Sequence, residues 1–133
     1  MKAVAARLTR GLNIGSHINA ADNSGARIVR ITGVKGGKGR RGRQQPAKIG
    51  DWVKVSVRKG LLEMKGKVFD AVIIRQKKPY QRASGERISF QDNAVALLKD
   101  EKGNPKGTQI KGAISREAAV KWPQMGKIAK FIV

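Results

Sequence analysis

Two stretches of this chain carry side chains suited to one kind of chemistry, the neutralisation of phosphate. Val34-Lys-Gly-Gly-Lys-Gly-Arg-Arg-Gly-Arg-Gln-Gln-Pro-Ala47 holds four glycines, five basic residues and no acid. Its cations are Lys35, Lys38, Arg40, Arg41 and Arg43. The arginine fork matches phosphate oxygens, and glycine lets the backbone follow an irregular surface. A merely solvated loop is the alternative, but so much cationic charge without an acid favours an anionic partner. No Gly-Lys is followed by Ser or Thr, so the loop is not a nucleotide-binding P-loop. The second stretch, Arg75–Arg87, sets Arg75, Lys77, Lys78, Arg82 and Arg87 against Glu86 alone, with a turn at Ser84-Gly85.

Catalytic and metal chemistry find little support. There is no cysteine and one histidine, His17, which has no second ligand at a suitable spacing. Asp22, Asp51, Asp70 and Asp92 could in principle gather for metal-dependent RNA hydrolysis. Each, however, sits beside a Gly, an Asn or a strand end, where turn chemistry explains it. The expectation is a non-enzyme with no metal site and no cofactor.

The whole chain carries 29 Lys and Arg against nine Asp and Glu, a net charge of +20. A compact protein with that charge repels itself unless a polyanion offsets it. The excess is concentrated in residues 27–87, which hold 18 of the basic residues and four of the acids. Residues 88–133 are nearer balance and freer to meet protein. At 133 residues the chain is expected to be one domain with a real core. It shows no signal peptide and no window apolar enough to span a membrane, so a soluble cytosolic or nuclear location is the default.

The elements that must position these cations are mostly strands. Residues 1–12 lack a period and read as a mobile tail or a short lead-in. A strand is expected over Ser16–Ala21, then a turn at Asp22-Asn-Ser-Gly25. Ala26–Val34 alternates as a strand with Ile28 and Ile31 inward and Arg27 and Arg30 outward. Val53, Val55 and Val57 alternate with Trp52, Lys54, Ser56 and Arg58, which gives one core face and one basic face. Trp52 at a strand start reads as a core lid rather than a base-stacking platform. Lys59-Gly60 turns the chain toward Lys65 and Lys67. Val68–Ile74 is a nearly continuous apolar run, as in a strand covered on both faces. The basic hairpin follows, then a strand ending near Leu98 and a short strand over Thr108–Ile114. Ser115 is placed to cap a helix over 116–121, and Trp122-Pro123 stops it. Ile128, Phe131 and Ile132, three to four apart, favour a second helix over a final strand. The sum is a mainly β protein: five or six strands, which favour a small closed β-barrel over 14–114 with basic loops 35–47 and 75–87. A C-terminal lobe of one or two short α-helices occupies 115–133.

Several of these fragments occur together, in order: Asp22-Asn-Ser-Gly-Ala26, Gly50-Asp-Trp-Val53, Lys65-Gly-Lys-Val68 and Ala71-Val-Ile-Ile74. Phe90-x-x-Asn93-Ala94, Pro105-Lys-Gly-Thr108 and Gly112-x-Ile114-x-Arg116-Glu117 follow. The ordered set resembles the universal large-subunit ribosomal protein family number fourteen, in its archaeal and eukaryotic branch. The resemblance covers residues 14–133; Ala96 stands where the family usually has Val or Ile. It implies a five-stranded barrel with a small helical lobe and a non-enzymatic, cytoplasmic ribosomal protein. It also implies contact with large-subunit rRNA, and with small-subunit rRNA across an inter-subunit bridge. Neighbouring ribosomal proteins and an anti-association factor are further implied partners. On this chain the rRNA-binding candidates become the two basic loops together with Arg27, Arg30, Lys54, Arg58, Lys59, Lys65 and Lys67. Arg116, Glu117, Lys121 and Trp122 become the protein-facing set. A small-barrel nucleic-acid module outside the ribosome is the alternative; it would want exposed aromatics, with Trp52 and Tyr80 the candidates.

Overall fold

The computed structural model describes residues 4–37, 39 and 41–133. Lys38 and Arg40 of the basic loop lie outside the described residues. In chain order the strands begin with β1 (Ala6–Arg7), β2 (His17–Ala20), β3 (Ala26–Val34), β4 (Trp52–Gly60) and β5 (Val68–Arg75). The chain continues with β6 (Tyr80–Arg82), β7 (Arg87–Ile88), β8 (Ala94–Leu97) and β9 (Ile110–Ile114). It ends with α1 (Arg116–Lys121), α2 (Pro123–Ile128) and β10 (Ala129–Ile132).

Strands β2, β3, β4, β5 and β8 close into a barrel in that order. Closure is by a parallel pairing of β2 with β8, Asn19 opposite Ala94. The alternating valines of β4 supply the interior, and Val53, Val55 and Val57 are essentially inaccessible. Ala71 to Ile74 of β5 are all fully buried, because both faces of that strand are covered. Each valine or isoleucine so buried stabilises the fold by ~1.5–3 kcal/mol.

Strand β3 departs from simple alternation. Val29 and Ile31 are buried, whereas Ile28 is only partly covered. The pairing with β4 shifts between Ala26 and Ile28 and again between Ile28 and Val29. Such bulges move the inward phase by one residue, so the expectation of Ile28 as an inward residue is corrected to Val29. Arg27 and Arg30 stay exposed.

The N-terminal residues do more than lead in. β1 pairs with β6, β6 pairs with β7, and Leu12 bridges to Ala47. At the other end Ser115 caps α1, its side chain accepting from the Ala118 N–H at 3.1 Å. Trp122 ends α1, and Pro123 opens α2 at a position where its missing N–H costs nothing. Residues 129–132 form a strand parallel to β9 rather than extending the helix. Phe131 and Ile132 consequently face outward, 59% and 52% exposed, which corrects the reading of their spacing as a helical face packed on the sheet. The lobe is moored to the barrel by the Trp122 indole N–H, which donates to the Gly50 carbonyl at 2.9 Å.

Candidate nucleic-acid interface

The two basic elements meet through the N-terminal segment. Thr9 accepts two hydrogen bonds from the Gln76 amide, and its hydroxyl donates to the Pro79 carbonyl at 2.7 Å. Further along the chain, Leu12 and Ala47 exchange backbone hydrogen bonds at the end of the Arg/Gly loop. Residues 9–12 therefore join the hairpin 75–87 to the loop 35–47. Arg10, exposed between those two contacts, is a cation the sequence reading missed, because its segment lacks any period.

In the loop, Lys35, Arg41 and Arg43 are exposed. Lys35 places its ammonium 3.4 Å from the centroid of the Trp52 ring. That ring also meets Trp122 edge-on at 5.6 Å, so Trp52 is a lid between barrel and lobe. In the hairpin, Lys77, Lys78 and Arg87 are exposed, while Asn93 and Ser89 fix the backbone at Lys77. On the barrel wall Arg30 of β3 lies between His17 of β2 and Ser56 of β4, with Lys54, Arg58 and Lys59 along β4. All these cations are exposed, as are Lys65 and Lys67 in the turn before β5.

Two arginines of the hairpin behave differently. Arg75 is tied down: its guanidinium donates to the Lys111 and Ala113 carbonyls, each at 2.9 Å, and pairs with Asp92. It passes so close to Gly112 that a Cβ there would stand 2.5 Å from Nη1, and Gly112 also adopts a φ of +78°. Arg82 is buried, its Nε 2.8 Å from Glu117 Oε1. Tyr80 completes this cluster, donating its hydroxyl to Glu117 Oε2 at 2.6 Å. Arg82 therefore leaves the phosphate-binding set, because its charge is satisfied inside the protein. Glu117 and Trp122 likewise leave the protein-facing set, since both are buried by the packing of the lobe. Arg116 is exposed, and Lys121 is half-buried near Asp51.

Burial raises the Tyr80 phenol well above the ordinary tyrosine range, and the nearby Glu117 carboxylate adds to the effect. For Glu117 burial acts upward, but hydrogen bonds from Arg82 and Tyr80 outweigh it and hold the carboxyl below its usual value. Tyr80 is wholly inaccessible, and the half-buried Trp52 ring carries Lys35 over its face and Trp122 against it, so neither offers a free stacking face.

The four aspartates considered for catalysis sit in separate structural roles. Asp22 accepts from the Leu97 N–H and Asp51 from the Lys48 N–H, while Asp70 faces Lys54 and Asp92 faces Arg75. Among the described residues, carboxylates pair with Lys54, Arg75, Arg82 and Lys121 and with no other Lys or Arg. Most of the cationic surface thus has no internal counter-charge.

Comparison with known proteins places this geometry in a lineage. Residues 11–133 match the family described as Ribosomal protein L14p/L23e. The chain is 52% identical to the large ribosomal subunit protein uL14 of Nanoarchaeum equitans, over the full length of both. It is 47% identical to the protein of that name from Halobacterium salinarum and 46% to that from Thermoplasma acidophilum, again over full lengths. The closed barrel, the basic loops and these full-length matches agree, and the chain belongs to the ribosomal protein L14p/L23e family in its archaeal form.

Proposed function

We propose that the protein is a structural component of the large ribosomal subunit in the cytoplasm, held on rRNA by the loop 35–47, the hairpin 75–87 and the basic barrel wall. One observation carries the reading: a net charge of +20 on a rigid barrel, with carboxylates engaging so few of the described cations. Lysine and arginine bind phosphate by releasing condensed counterions, and rigid RNA is recognised through shape, 2′-hydroxyls and phosphates. Lys35, Arg41, Arg43, Lys77, Lys78 and Arg87 lead the contact set, with Arg10 added. The lobe, with Arg116 exposed, faces neighbouring ribosomal proteins and an anti-association factor. In the same reading the barrel wall reaches small-subunit rRNA across the inter-subunit bridge. The chain carries no catalytic role in this reading.

The test is the salt dependence of binding to large-subunit rRNA. Neutralising Arg40, Arg41 and Arg43 to glutamine should flatten the plot of log affinity against log salt by roughly 0.7–0.9 for each phosphate no longer neutralised. The thermal melt should not move. An unchanged slope would show that this loop does not sit on phosphate.

A further inference from the structure

Three turns converge at the end of the barrel where β3 begins and β4 ends, beside Arg27, Lys59, Lys65 and Lys67 of the residues assigned above. The turn 22–25 is locked to β8 through Asp22, whose Oδ2 accepts from the Leu97 N–H at 2.9 Å. The turn 104–107 is locked to the same strand, the Lys106 N–H donating to the Leu97 carbonyl at 2.9 Å. Asn23 ties these two turns together, its side-chain oxygen accepting from the Thr108 N–H at 2.8 Å. The third turn, 61–67, is held on the first by the Leu61 N–H, which donates to the Gly25 carbonyl at 3.0 Å. The two turns approach so closely that a Cβ on Gly25 would stand 2.8 Å from the Leu61 side chain.

The turns enclose a cleft of about 380 Å³ lined by Ser24, Glu63, Met64, Lys67, Phe69 and Lys106. That volume falls in the range of small-ligand sites, ~300–1,000 Å³. Phe69 is a half-buried aromatic seated on the core, and Lys106 holds its ammonium 5.1 Å from the ring centroid. Lys106 lies over the outer face of the Phe69 ring, so a base takes that face by displacing the ammonium, which then stands with Lys67 beside the ring to meet the phosphates. Glu63 is an exposed acceptor at the rim. The Ser24 hydroxyl donates to Asp22 at 2.7 Å, so its proton is committed within the turn.

We propose that this cleft takes one unstacked nucleotide of an RNA, its base on Phe69, its phosphates on Lys67 and Lys106, and an amino-bearing base edge on Glu63. The proposal rests on the reading of the chain as an RNA binder, and adds a single-strand subsite to a surface otherwise built for folded RNA. The test uses the full chain, isotope-labelled for NMR, titrated with the single strands rA5, rC5 and rU5 and with a mixed-sequence RNA duplex. Amide signals of Gly25, Phe69 and Gly107 should move with the single strands and stay put with the duplex, which should move Arg30 and Lys54. Adenine or cytosine strands should saturate at lower concentration than uracil, and equal affinities would refute the contact at Glu63. Phe69→Leu should weaken single-strand binding about tenfold, the scale of one base stack removed. If that variant unfolds, Lys67→Gln and Lys106→Gln, both at exposed positions, decide the matter by weakening the same binding severalfold. Unmoved cleft signals, or variants that are folded and bind unchanged, overturn the proposal. A duplex response without a cleft response sinks only this subsite, whereas no response to any RNA sinks the general reading as well.

Discussion

Removing the carboxylate of Glu117 should unseat the hairpin from the C-terminal lobe. Its two oxygens hold Arg82 Nε at 2.8 Å and the Tyr80 hydroxyl at 2.6 Å. Only 8% of the Arg82 side chain and 7% of the Glu117 side chain are exposed. Glu117→Ala would leave a guanidinium buried without a counter-charge, which costs ~3–5 kcal/mol. Total stability for a domain is ~5–15 kcal/mol, so the loss is a large share of it. At roughly 3–6 °C per kcal/mol for a chain of this length, the melting temperature should fall by about 10–30 °C. A thermal melt by circular dichroism reads this directly. The double variant Glu117→Leu with Arg82→Met should melt well above Glu117→Leu alone, because no unpaired charge then remains. pH adds a check on sign. The Glu117 carboxyl is depressed in the fold, so its contribution is complete above the unfolded value of about 4.3 and is lost as pH falls through the lower folded value. The Tyr80 phenol is raised, so its contribution is complete below about pH 10 and is lost at higher pH. If Glu117→Ala melted within about 3 °C of the parent, an ion pair this well buried would be contributing almost nothing, and the account of the lobe's attachment would be wrong.

Three further outcomes follow from the packing. Val72→Asp places a carboxylate at a fully inaccessible barrel position, at a cost of several kcal/mol; the variant should be insoluble or unfolded, and a folded one would refute the placement of β5. Asp22→Ala leaves the buried Leu97 N–H without its acceptor, and should lower stability by ~1–3 kcal/mol in urea unfolding. Trp122→Phe loses the bond to the Gly50 carbonyl, worth ~0.5–1.5 kcal/mol, and hydrogen exchange in α1 and α2 should quicken while the barrel strands keep their protection.

What could be read from the sequence was the part governed by local period. Val53, Val55 and Val57 alternate without interruption, and the buried run Ala71–Ile74 has no polar residue to disguise it. Ser115 announced its helix because a cap acts on an N–H three residues away. Failures came where distant residues decide. Ile28 was misjudged because the bulges of β3 are set by register against β4. The C-terminal strand exists because β9 offers an edge, which the spacing of Ile128 and Phe131 does not reveal. Arg82 looked like its neighbours in a basic hairpin; its partner Glu117 lies 35 residues away and becomes close only when β6 packs on α1. The basic surface was visible as composition, whereas which cations remain outward is a property of the closed barrel.

The placement of the acids explains why most bases among the described residues lack a carboxylate partner. Asp22, Asp51, Asp92, Asp100 and Glu117 each bond within the protein to backbone N–H groups, amides or buried cations. Asp100 shows the effect in its titration: bonds from Asn104 and Lys102 hold its carboxyl below the usual aspartate value. Carboxylates used in this way fix turns and joints, and few remain at the surface to screen lysine and arginine. Stability and affinity therefore draw on opposite charges. These acids fix the fold, and in the proposed reading binding depends on described bases that the fold leaves without a carboxylate partner. The two sets touch at Lys54, Arg75, Arg82 and Lys121 among the described residues, and of these only Lys54 is more than a quarter exposed. Salt should accordingly weaken the hold on RNA long before it disturbs the barrel, because exposed charge–phosphate contacts are screened and the buried pair of Arg82 and Glu117 is not.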